Sequence, residues 1–130
     1  MIALMTLAVS ASAPAESIEG LWLHPERSVI IHLSPCGNAL CGTVTWANEN
    51  AKKAARRGID PLVGARLLTD LRPRSNGQWR GKLFVPDLNV RVNGKITPIN
   101  PNKLRVSGCL IGGMICGSQV WTRTDQPVAR

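Results

Sequence analysis

Ser28-Val29-Ile30-Ile31-His32-Leu33-Ser34, then Pro35-Cys36-Gly37-Asn38-Ala39-Leu40-Cys41-Gly42, then Thr43-Val44-Thr45-Trp46, reads as two strands joined by a cysteine clip. Val29, Ile31 and Leu33 fall on one face at the two-residue period of a strand, and β-branched residues dominate the run. Ile30 and His32 stand on the other face, which is therefore not uniformly polar. Working outward, similar runs recur at Gly20 to His24, Ala65 to Leu71, Gln78 to Phe84, Leu88 to Ile96, Lys103 to Cys109 and Gly117 to Thr124. With Ser28 to Ser34 and Leu40 to Trp46 they make eight strands. The order suits an antiparallel up-and-down barrel, because closure removes the exposed edges that a long open sheet would leave.

The punctuation agrees. Asn76-Gly77 and Asn93-Gly94 are turn dipeptides that tolerate the positive dihedrals of tight hairpins, and Pro98, Asn100, Pro101 and Asn102 form another break. Only Asn48 to Arg57 could be helical, with Asn48 or Asn50 as cap and Gly58 as stop. Being short, polar and basic, it is expected to be a mobile connection and not a core element.

A second clip, Cys109-Leu110-Ile111-Gly112-Gly113-Met114-Ile115-Cys116, also joins two strands. An even cysteine count in a small domain points to disulfides and to a compartment outside the reducing cytosol. Local pairing, Cys36 with Cys41 and Cys109 with Cys116, is the simplest of the three connectivities that four cysteines allow. Loops this short would each contribute about 2 to 2.5 kcal/mol in the chain-entropy model. Zinc is the lesser reading, since the Cys109–Cys116 spacing exceeds that of structural zinc pairs and the expected compartment favours oxidation. Redox catalysis is weaker still, with no two-residue spacing and no cation positioned beside either sulfur.

Export is also expected from the first fifteen residues. Ile2 to Val9 is apolar, small residues follow, and Ala11-Ser12-Ala13 and Ala13-Pro14-Ala15 offer cleavage frames, the second preferred because the first would leave Pro14 at the new N-terminus, so 1–15 reads as a signal peptide and 16–130 as a single barrel domain. A basic n-region is missing, which suggests a start upstream of Met1 in preference to a chain that is not exported. The apolar run is too short to span a membrane. The destination expected is the periplasm or the exterior.

The formal charge is +8, and nine of the sixteen basic residues lie between Lys52 and Lys82, opposed there only by Asp60 and Asp70. Such asymmetry favours an anionic envelope surface or polymer over nucleic acid in an exported protein, with Lys52, Lys53, Arg56 and Arg57 as docking candidates and Arg66, Arg72 and Arg74 nearby. A solvated basic face that aids solubility accounts for the same charges.

Gly20-Leu21-Trp22, the first cysteine clip with Gly42, Asp60-Pro61-Leu62-Val63-Gly64, Trp79 to Pro86-Asp87, Leu104-Arg105-Val106-Ser107-Gly108-Cys109 and Trp121-Thr122-Arg123, in this order, resemble the bacterial domain of unknown function 2147 family. Members usually carry an aromatic and a glycine after the Pro-Asp turn, where this chain has Leu88-Asn89-Val90. The resemblance implies an exported, lipocalin-like barrel of the calycin type and no established reaction. It also implies that Trp22 and Arg123 form the structural pair that closes one end, a guanidinium over an indole contributing about 0.5 to 2 kcal/mol.

Nothing in the residues assembles a reaction. His24 and His32 flank the turn at Pro25 to Arg27 with only Glu26 as a third ligand candidate, so no metal site is expected. Asp60 and Asp87 each adjoin a proline and are explained as turn residues, and no catalytic set, phosphate loop or cofactor motif is present. All four tryptophans, Trp22, Trp46, Trp79 and Trp121, lie in strands and are expected to pack in the core. The expectation is thus a non-enzymatic barrel without a cofactor, holding a small apolar or amphipathic ligand if its interior is hollow. The alternative is an envelope protein docking through its basic segment. No two-fold patch for self-association is read.

Overall fold

The computed structural model describes residues 17–109 and 116–124. The strands are β1 (Gly20–Leu23), β2 (Val29–Cys36), β3 (Ala39–Ala47), β4 (Arg66–Pro73), β5 (Trp79–Val85), β6 (Val90–Asn100), β7 (Lys103–Cys109) and β8 (Cys116–Thr124), with one helix, α1 (Glu49–Ala55), between β3 and β4. Each strand pairs antiparallel with the next, and β8 pairs back onto β1 through Trp22 and Arg123, so the sheet is a closed barrel. The proposed signal segment, 1–15, lies outside the described residues.

Asn93-Gly94, read as a turn dipeptide, does not turn: it lies inside β6, paired with Lys82 and Gly81 on β5 and with Cys109 and Gly108 on β7. β6 runs on to Asn100 through Pro98, because the register shifts between Pro98 and Asn100 and a bulge tolerates the missing N–H. Asn89 takes φ 55°, a left-handed conformation that glycine favours and asparagine tolerates, so the turn after Asp87 keeps its shape without glycine.

Up-and-down topology sends the β1–β2, β3–β4, β5–β6 and β7–β8 connections to one end and the others to the opposite end. That second end is filled. Trp22, Leu33, Leu40, Leu71, Ile96 and Leu104 are buried in the core cluster there, and no polar or charged residue is buried among the described residues. Gly42 belongs to this packing. On β3 it shares the inward face of Leu40 and Val44, and a Cβ at 42 would lie 2.7 Å from Leu68 Cδ1 and 3.0 Å from Leu33 Cδ2. Both leucines are fully buried and have little room to retreat. Gly42→Ala is therefore expected to destabilise by about 1 to 3 kcal/mol through overpacking, read as a lowered midpoint in urea unfolding.

Closure is fastened by one arginine. The Arg123 guanidinium lies 4.3 Å from the centre of the Trp22 ring. Its Nε donates to Pro101 O at 2.9 Å, and its other nitrogens donate to Glu19 O at 2.8 Å and Ser17 O at 3.4 Å. Trp22 Nε1 donates to Ile18 O at 2.9 Å. The segment before β1, the β6–β7 turn and both closing strands thus converge on two side chains.

α1 departs from the sequence reading. Asn48 caps it, with Oδ1 accepting the Ala51 amide at 2.8 Å, but the helix is more than a polar connection. Ala55 is buried and Ala51 packs against the core, so the alanine face seats the helix on the barrel. Alanine is too small to announce such a face in a seven-residue helix.

Candidate ligand-binding site

The other end is hollow. A cavity of about 610 Å³ opens between α1, the β1–β2 turn and the β5–β6 turn, within the range of about 300 to 1,000 Å³ typical of ligand pockets. Val29, Ile31, Leu67, Leu83, Val92 and Val106 make its apolar wall, and Trp121 belongs to the lining too. The barrel is therefore two compartments, a packed one behind the Trp22–Arg123 closure and an open one behind α1.

Register explains the space. Gly81 pairs with Gly94, Gly94 with Gly108 and Gly108 with Gly117, giving a row of four glycines across β5 to β8. All four share the inward-facing phase of their strands, set by Leu83, Val92, Val106 and Gln119 two residues away. At the two ends of the row glycine serves different purposes. A Cβ at Gly81 would lie 2.6 Å from Thr69 O, where the β4 bulge presses inward, whereas one at Gly117 would meet nothing within 4 Å. Gly108 and Gly117 line the cavity. A Cβ at Gly108 would press on Val92 Cγ2 at 3.0 Å, so it is the side chain missing at Gly117 that leaves this end unfilled.

The rim is polar. His24 is half-buried beside the β1–β2 turn, where its Nδ1 accepts the Glu26 amide at 3.1 Å, so the neutral ring carries its proton on Nε2. Gln119, from β8, hydrogen-bonds His24 and accepts Trp121 Nε1–H at 3.1 Å. Burial lowers the His24 pKa below its ordinary 6.5, and the nearby charges of Glu26 and Asp87 and the Gln119 bond only partly oppose this. The fold therefore prefers neutral histidine. Its contribution is complete above the unfolded-state value near 6.5 and is lost as pH falls through the lower folded value. Stability is expected to decline on acidification from about pH 6.5, and His24→Gln is expected to flatten that part of the curve. Urea titrations of both proteins across the interval measure the difference.

The residues singled out from sequence scatter over the molecule. The structure joins Cys36 to Cys41 at the packed end and Cys109 to Cys116 at the open end. Lys52, Lys53, Arg56 and Arg57 lie on and just after α1, outside the cavity lining. Lys52 contacts Glu49 at 3.2 Å and Arg56 contacts Asp60 at 3.8 Å, so two of the four have acidic partners. Trp22 and Trp121 are buried, while Trp46 and Trp79 are half-buried. His32 is exposed on β2, away from the rim, and no group of three metal-ligating side chains occurs among the described residues. Asp87, read as a turn residue, lines the rim, and Gln119, Gly108 and Gly117 were not singled out for a site. The glycine row could have been found by aligning inward positions strand by strand.

An eight-stranded closed barrel, hollow at one end and latched by an Arg–Trp pair at the other, defines a lipocalin-like fold. The same architecture occurs in Protein HP1028 from the human pathogen Helicobacter pylori, described as belonging to the lipocalin family, with a TM-score of 0.65, 13% identity and 84% of each chain covered. At that identity the likeness concerns the fold. The chain belongs to the family described as an uncharacterized protein conserved in bacteria (DUF2147), whose profile matches residues 20–123. Comparison with curated proteins gives no significant match.

Proposed function

We propose that this protein is an exported, non-catalytic carrier that holds a small apolar or amphipathic molecule in the open half of its barrel. The observation that carries this reading is the cavity of about 610 Å³, lined mainly by apolar side chains. Two disulfides among the described residues support a site of action in the periplasm or outside the cell. No described helix is long and apolar enough to cross a membrane. Native mass spectrometry of the protein isolated from its own cells, beside a denatured sample, tests the proposal. A discrete adduct released on denaturation is the expected result. A bare chain that also fails to take up an apolar fluorescent probe saturably would sink it.

A second reading, docking on an anionic envelope surface, gains support from the outer wall. Arg72 pairs in register with Arg80 and Arg80 with Lys95, placing three cations in one row across β4, β5 and β6. Like charges directly opposite cost stability, and among the described residues only Asp70, 2.8 Å from Arg72, forms an ion pair with this row. Lys82, Arg91 and Arg105 extend the same exposed face, and Lys53 and Arg57 add charge near the open end. Vesicles rich in phosphatidylglycerol should sediment with the protein at low salt and release it at high salt, and Arg80→Glu with Lys95→Glu should abolish the association. Salt-independent association would count against the reading.

A further inference from the structure

We infer that the cavity selects amphiphiles with a cationic or hydrogen-bond-donating head group, such as long-chain amines and alcohols, over fatty carboxylates. The inference rests on the proposed carrier role and goes beyond it by fixing the chemistry of the head.

The charge pattern carries it. This is a strongly basic chain, with sixteen Lys and Arg against eight Asp and Glu. Yet among the described residues no Lys or Arg lines the cavity, and its two formally charged lining residues are Glu26 and Asp87. They come from different connections, the β1–β2 and β5–β6 turns, and the charges of both act on the ring of His24. Neutral His24 adds no positive charge at neutral pH, and Gln119 and Ser28 complete a rim without cations. An apolar chain against Leu83, Val92 and Val106 would therefore present its head to two carboxylates among neutral polar side chains. An ammonium or hydroxyl can donate to those groups. A carboxylate would meet two like charges.

The exterior sharpens the test. Non-specific attraction to a protein of charge +8 favours the anionic amphiphile, so a preference for the cation cannot arise from the outer surface. Dodecylammonium, dodecanol and laurate share one chain and differ at the head. Isothermal titration of each into the protein near neutral pH, below its aggregation concentration, should give an amine about tenfold or more tighter than laurate, with the alcohol between. The contrast is set no higher because both carboxylates are exposed and screened. In Glu26→Gln with Asp87→Asn the amine and laurate affinities should converge to within about twofold. Laurate binding as tightly as the amine to the unaltered protein overturns the inference, as does a preference that survives in the double variant. If all three bind alike and all are lost in Gly117→Phe, the carrier reading stands and the head-group inference falls. If none binds saturably, both fall.

Discussion

Trp22→Ala is expected to lower the free energy of unfolding by about 3 to 5 kcal/mol, the range for deleting a buried large aromatic. Trp22 is 1% exposed, lies in the main core cluster and supports one face of the Arg123 guanidinium. Its removal opens a void in the packed end and takes away both the indole face and the Nε1–H bond to Ile18 O. A loss of that size is a large part of the roughly 5 to 15 kcal/mol that stabilises a typical domain. Urea unfolding should show a lower midpoint at an unchanged slope. Arg123→Lys isolates the other half of the latch. It keeps the charge but not the planar fork that reaches Pro101 O, Glu19 O and Ser17 O together, so a destabilisation of about 1 to 2 kcal/mol is expected. Neither residue lines the cavity, so ligand affinity should be unchanged wherever the variants remain folded. A Trp22→Ala loss below about 1 kcal/mol would show that the barrel closes without this latch.

What the sequence discloses and what it conceals follow from the range of the interactions involved. Strand character is local: Val29, Ile31 and Leu33 alternate and Asn76-Gly77 turns, so eight strands and their antiparallel order can be read one segment at a time. Whether the interior is filled depends on register. Gly81, Gly94, Gly108 and Gly117 are separated by thirteen, fourteen and nine residues and become a row only when three hairpins are aligned. The rim is concealed for the same reason, since His24, Asp87 and Gln119 come from separate parts of the chain. Asp87 beside Pro86 is fully explained as a turn residue until the fold brings it to His24. The basic segment around Lys52 stood out because its charges are consecutive, whereas the Arg72–Arg80–Lys95 row is split among three strands and forms only through pairing. Local signals thus bring out the charges of the helix and leave those of the wall to the register.

Gly117→Phe is expected to abolish ligand uptake, weakening the affinity for an apolar probe by about tenfold or more, while leaving the fold intact or slightly more stable. The two expectations come from one geometry. Gly117 is on the face of β8 that carries Gln119 and Trp121, and a Cβ there would meet nothing within 4 Å, so the new ring enters existing space. Its φ is not in the left-handed region, and exchanging a strand glycine for an aromatic recovers roughly 0.5 to 1 kcal/mol of propensity. Most substitutions that damage a binding site also damage the core, which makes lost binding hard to separate from lost structure. This one reverses the sign: filling the cavity buries the ring and improves packing, so stability and affinity should move in opposite directions. Probe fluorescence and a urea melt on the same preparation read both. Unimpaired uptake by a folded Gly117→Phe protein would mean that the molecule binds outside the barrel, and the exposed wall around Arg80 and Lys95 would become the surface to test.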